Sequence, residues 1–190
     1  MSIRVLCLAG STRSDSLNKR LIRAAAVALE DSGAHATVLD LRDYALPLYD
    51  GDLEAASGIP APALALKTLF KAHGALVIAS PEYNASMSAV LKNALDWVSR
   101  PHGDEAGSLP YRGKVAALLA ASPGALGGLR GLTHLRVVLQ ALGVLVLPEQ
   151  LAVARAHDVL SAEDRLNDAS LSAQLSGLMA RLVEVGTRLA

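Results

Sequence analysis

The sequence predicts an α/β protein, a three-layer sandwich built around a five-stranded parallel sheet. Three observations carry that expectation. Five short apolar runs lack polar alternation, as strands buried on both faces require. Segments with apolar residues at steps of three and four separate the runs, as crossover helices between parallel strands require. No repeat, low-complexity tract or run of like charge interrupts the pattern, so residues 1–190 read as one domain.

The first run, Ile3 to Leu8, stops at Gly10, and from Leu17 the apolar spacing changes to Leu21, Ala25, Ala28 and Leu29, one helical face. Thr37 to Leu41 reads as the second strand. Arg42 to about Ile59 reads as a loop, because Pro47, Gly51 and Gly58 interrupt regular structure. A helix from Pro60 to His73 leads into the third strand, Ala75 to Ala79, which Pro81 ends. Val90, Leu91, Ala94, Leu95 and Val98 form a helical face that ends near Arg100. Val115 to Ala121 is the fourth strand, Leu129 to Leu142 a helix, and Val144 to Leu147 a fifth strand closed by Pro148. After an extended piece at Leu151 to Val153, Leu171, Leu175, Leu178, Leu182, Val185 and Leu189 mark a closing amphipathic helix.

Composition narrows the partners. The 190 residues are 52% hydrophobic, enough for a full core, and 18 basic residues balance 18 acidic ones. A neutral chain lacks the broad positive field that nucleic acid or an anionic lipid surface selects, which points to a small-molecule partner. The longest uncharged stretch, Val115 to Leu129, is too short to cross a bilayer. One cysteine, Cys7, excludes an internal disulfide, and the opening residues lack a secretory pattern, so a cytoplasmic setting is expected. Cys7 itself reads as an inert core thiol.

Ligands of doubly wound sheets bind beyond the carboxyl ends of the strands, so chemistry belongs to the loops after strands one, three and four. The first, Gly10 to Asn18, places four hydroxyl side chains, Arg13 and Asn18 just before a helix. Free N–H groups and the peptide dipoles at the helix start favour an anion, and Ser11, Arg13, Ser16 and Asn18 could complete the donors around a terminal phosphate. Capping alone explains one hydroxyl and leaves Arg13 without a role. After strand three, Pro81-Glu82-Tyr83-Asn84 offers turn amides and an aromatic ring for a flat heterocycle, although strand termination and capping use the same residue types. After strand four, Ser122 to Gly128 has few side chains, so its backbone could lie against a planar ligand or simply turn.

Other chemistries lack support. GxGxxG and GxSxG are absent, and Gly107 to Lys114 has one residue too many for a phosphate-binding P-loop and continues into Val115. The five histidines, His35, His73, His102, His134 and His157, are too scattered for a metal pair.

Three motifs together, G-S-x-R-x-x-S-x-N at Gly10 to Asn18, P-E-Y-N-x-S with L-K-N-A-x-D-W at Pro81 to Trp97, and S-P-G-A-L-G-G at Ser122 to Gly128, resemble the NADPH-dependent FMN reductase family over roughly residues 3 to 150. The resemblance implies a flavodoxin-like fold and FMN with NADPH or NADH as cofactors. It implies that Ser11, Arg13, Ser16 and Asn18 hold the FMN phosphate, that Pro81, Glu82, Tyr83 and Asn84 contact the flavin, and that Ser122 and Gly124 line its remaining side. It implies hydride transfer from NAD(P)H through the flavin to a quinone, chromate, azo or free-flavin acceptor, with no protein nucleophile. The competing expectation is a flavodoxin-type electron carrier that binds FMN without efficient NAD(P)H oxidation. Trp97 and Met87, off the inward face of their helix, point to packing against another subunit in a homodimer or homotetramer, with Arg130, His134 and Glu149 as polar contacts.

Overall fold

The computed structural model describes residues 2–189. Five parallel strands, β1 (Arg4–Ala9), β2 (His35–Asp40), β3 (Ala75–Ala79), β6 (Val115–Ala121) and β7 (Leu145–Val153), form a sheet in the order β2-β1-β3-β6-β7. Alternate residues of each strand serve opposite faces, which is why the strands read as unbroken apolar runs. Val5, Cys7, Ala9 and Val77 pack with Leu21, Ile22, Ala25 and Leu29 of α1 (Leu17–Asp31) and with Leu175, Leu178, Met179 and Leu182 of α7 (Ala169–Leu189). Leu6, Leu8, Leu76, Ile78 and Leu118 pack with α3 (Ala61–Ala72), α4 (Ala89–Val98) and α5 (Leu129–Ala141). The three expected layers are therefore present. Only the central strands are sealed on both faces; β2 lies at the edge and is largely half-buried or exposed.

The order sets the site. The chain leaves β1 toward β2, then returns past β1 to β3, and right-handed crossovers place α1 and α3 on opposite faces. A crevice opens between the carboxyl ends of β1 and β3, at the reversal.

Three sequence expectations change. The segment read as an unstructured loop contains a 3₁₀ turn, Leu41–Asp43, and a helix, α2 (Gly51–Ser57). Asp50 caps α2 by accepting from the Asp52 amide at 2.8 Å, and Gly58, with φ of 73°, ends it, so two of the glycines border a helix that they were expected to prevent. No residue of α2 is buried, hence no apolar period announced it. Second, Pro148 does not close β7. Pairing slips from Ala116↔Val146 to Leu118↔Gln150, leaving Pro148 in a bulge on an edge strand, where a missing N–H is tolerated. The Arg136 guanidinium donates to the carbonyls of Leu147 at 2.7 Å and Pro148 at 3.4 Å, and the strand resumes through Leu151 to Val153. Third, Trp97 is fully buried within the subunit and Met87 nearly so, so both belong to its own core. Trp97 Nε1 donates to the Pro47 carbonyl at 2.8 Å and its ring meets Tyr49 edge to face, with centroids 5.1 Å apart. Asn93, one turn earlier, holds the same segment through the Pro47 carbonyl and the Tyr49 amide, each at 2.8 Å. Met87 belongs to a hairpin and not to a helix.

Candidate functional site

The first loop is pressed against α4. A Cβ on Gly10 would meet Ser88 Oγ at 2.9 Å and Leu91 Cβ at 3.0 Å, so no larger residue fits between strand and helix. Ser88 Oγ donates to the Gly10 carbonyl at 2.6 Å and also caps α4, accepting from the Leu91 amide. Ser16 caps α1 by accepting from the Lys19 amide at 3.3 Å. That uses one of the four unpaired amides of a helix start, and Ser16, Leu17 and Asn18 of the same turn line the crevice. Ser11 Oγ accepts from the Arg13 amide at 3.3 Å. The Arg13 guanidinium is exposed and, among the described residues, has no side-chain hydrogen bond or ion pair.

Asn18 has a structural part beside the one its motif suggested. Its Nδ2 donates to the Ala121 carbonyl and its Oδ1 accepts from the Ala121 amide, both at 2.9 Å, so the buried amide ties α1 to the end of β6 while one Nδ2 hydrogen stays uncommitted among the described residues. Asn18 lines the crevice as part of its frame.

The second loop is a hairpin, β4 (Glu82–Tyr83) with β5 (Ser86–Met87), turned by Asn84 and Ala85 at φ of 50° and 62°. Two successive left-handed residues are what a tight two-residue hairpin turn demands, and alanine is an uncommon choice there. The Glu82 carboxylate points to α5, accepting from the Arg130 amide at 3.0 Å, the Gly131 amide at 3.3 Å and Arg130 Nε at 2.7 Å. Burial pushes this carboxyl up, but the Arg130 and Gly131 hydrogen bonds and the Arg130 charge together hold it below its usual value. Tyr83 is 54% exposed.

In the third loop Ser122 Oγ accepts from the Gly124 amide at 3.1 Å. Gly127, with φ of 62°, lies so close to β7 that a Cβ would meet the Ala152 and Val153 carbonyl carbons at 2.8 Å. This glycine serves packing of the loop onto its own sheet, a reason the sequence reading did not anticipate.

One cleft of about 340 Å³ gathers Ser11, Arg13, Ser16, Asn18, Pro81, Glu82, Tyr83 and Ser122. Asn84 and Gly124 do not line it; Asn84 faces a neighbouring apolar hollow with Met87, His134 and Val137. A larger hollow, about 570 Å³ between α1, the 163–166 turn and α7, touches none of the three loops, so size alone does not choose the site. Sequence reasoning missed Arg20 and His157 as lining residues. Arg20 was legible, one turn beyond Ser16 on the same helix face. His157 was not, because it arrives from α6 (Ala156–Val159), which only the path of β7 brings to the cleft.

The strand order and the crevice at its reversal define a flavodoxin-like protein, with an anion cradle at the first helix and an aromatic hairpin opposite. Residues 3–158 match the family of NADPH-dependent FMN reductases, and the chain belongs to that family of oxidoreductase enzymes, whose cofactors are FMN and NAD(P)H. It is 38% identical to the NAD(P)H-dependent FMN reductase of Pseudomonas aeruginosa over 167 residues, 87% of this chain and 85% of the relative. It is also 38% identical to a 2-hydroxy-1,4-benzoquinone reductase of a Burkholderia species, over 77% of this chain and 75% of the relative. Among solved structures, the FerB NAD(P)H:acceptor oxidoreductase of Paracoccus denitrificans superposes with a TM-score of 0.80 at 28% identity, covering 98% of both chains. Among the described residues, no helix is long and apolar enough to cross a membrane.

Proposed function

We propose that residues 1–190 form one FMN-binding domain that transfers hydride from NAD(P)H through the flavin to a quinone, with chromate, azo compounds and free flavin as further acceptors. The carrying observation is the Arg13 guanidinium, unclaimed by any side chain among the described residues and placed beside the first turn of α1 at the sheet's reversal. Bound FMN supplies hydride acceptance from NAD(P)H and delivery of both electrons onward. The chain supplies position. Ser11, Arg13, Ser16, Asn18 and the first amides of α1 hold the phosphate; Pro81, Tyr83 and the backbone of Glu82 border the ring, with Ser122 on the far side. The Glu82 carboxylate, bound to α5, steadies the hairpin instead of touching the ring. Quinone as acceptor draws support from the benzoquinone reductase relative.

Anaerobic mixing with FMN and then NADPH tests the reading. Bleaching of the visible flavin band, reversed by a quinone with parallel-line kinetics, is the expected result. Binding without bleaching would instead indicate a flavodoxin-type carrier, which the balanced 18 to 18 charge disfavours because such carriers dock through acidic faces. A cytoplasmic setting is consistent with a single, buried thiol. For assembly as a homodimer or homotetramer, support comes from the apolar hollow around Tyr83 and Val137, the latter 61% exposed. Light scattering on a size-exclusion column checks this, and a strict monomer removes it.

A further inference from the structure

We propose that His157 is a further phosphate ligand of the flavin cleft. This inference rests on the FMN reading above. The histidine is held at the cleft from behind. Arg155, with φ of 44°, turns the chain out of β7, and its amide donates to the Gly124 carbonyl at 3.3 Å. The next amide, of fully buried Ala156, donates to the Ser122 carbonyl at 3.0 Å. These bonds tie α6 to the third loop, and His157 then lines the cleft together with Arg13 and Ser16. Its side chain is 59% exposed, with Nε2 3.2 Å from the Asp158 carboxylate.

A phosphate monoester carries about −1.5 to −2 near neutrality. From the first loop the cleft offers Arg13 and, against it, Asp15. Arg20 of α1 also lines it, but its guanidinium donates to the Leu160 carbonyl at 2.8 Å, to the Ser161 carbonyl and to Asp164 at 3.2 Å. Glu82 is matched by Arg130, and the third loop brings no charged side chain. Among the described residues that line the cleft, Arg13 is the one cation without an ionic partner, and with the roughly half charge of a helix start it leaves the phosphate undercompensated. The His157 imidazole, whose Nε2 meets Asp158 and whose other ring nitrogen has no partner among the described residues, is the further donor the cleft offers.

The test titrates FMN and, separately, riboflavin into the flavin-free full-length chain, wild type and His157→Gln, following flavin fluorescence. The variant should bind FMN about three- to tenfold more weakly than wild type. Riboflavin, without a phosphate, should bind both proteins equally. A ratio of FMN Kd values near one overturns the assignment, as does an equal loss for riboflavin. Failure of wild type to bind either flavin instead sinks the FMN reading itself.

Discussion

Replacing Asn18 with alanine should cost the protein far more than a surface change, because the side chain makes two buried bonds to one peptide unit. Without it the Ala121 amide and carbonyl at the end of β6 both lose their partner. A buried backbone group left unpaired costs about 1–3 kcal/mol, and relaxation or an entering water recovers part of the pair, so the expected loss is about 2–4 kcal/mol. For a chain of this length that corresponds to a fall in Tm of about 5–15 °C. Urea unfolding of the flavin-free protein, followed by circular dichroism, measures it, with the midpoint moving and the slope unchanged. FMN affinity should fall as well, since the first turn of α1 is no longer tied to β6. Asn18→Asp adds a directional check. It keeps an acceptor for the Ala121 amide but turns a carboxylate toward the Ala121 carbonyl, so it should lose at least as much at neutral pH and regain part on acidification. A loss below about 0.5 kcal/mol for Asn18→Ala would refute the assigned role.

Arg13→Ala should weaken FMN binding about ten- to a hundredfold, whereas Arg100→Ala, whose guanidinium serves Glu54 at 2.9 Å, should change it less than about twofold; equal effects in equilibrium titrations would count against the cradle. The lowered pKa of Glu82 stabilises the fold above the ordinary carboxylate value, about 4.3, and that stability is lost as pH falls through the folded-state value. Glu82→Gln should therefore be less stable at neutral pH and show a shallower acid limb in pH-dependent thermal melts. Burial pushes the Cys7 thiol up to about 12, so a disulfide reagent at neutral pH should label it only when the protein unfolds, and rapid labelling of the native protein would contradict its placement.

The layer plan was legible because burial writes itself into spacing. Ala75 to Ala79 and Val115 to Ala121 coincide with β3 and β6, and the leucine steps from Leu171 to Leu189 trace α7. Elements that bury nothing leave no such trace, and α2 was lost for that reason. Pro148 misled because a missing N–H forbids a central ladder but not a bulge at an edge. At the candidate site the motifs marked three loops that one cleft brings together, but not the partners that their side chains take within the fold. Asn18 and Glu82 lie in the cleft while also bonding Ala121 and α5. Local sequence shows that a donor is near; only the packed chain shows whether it is free.

The bulge around Pro148 also bears on what the molecule avoids. An outermost strand is a template onto which a stranger's strand can graft, the first event in fibril growth. On β7 that template is broken midway: position 148 has no hydrogen to offer, and Arg136 already occupies the oxygens of Leu147 and Pro148. Straightening this edge by deleting the two extra residues of the bulge should turn a sealed margin into a sticky one, with thioflavin-positive aggregates as the sign.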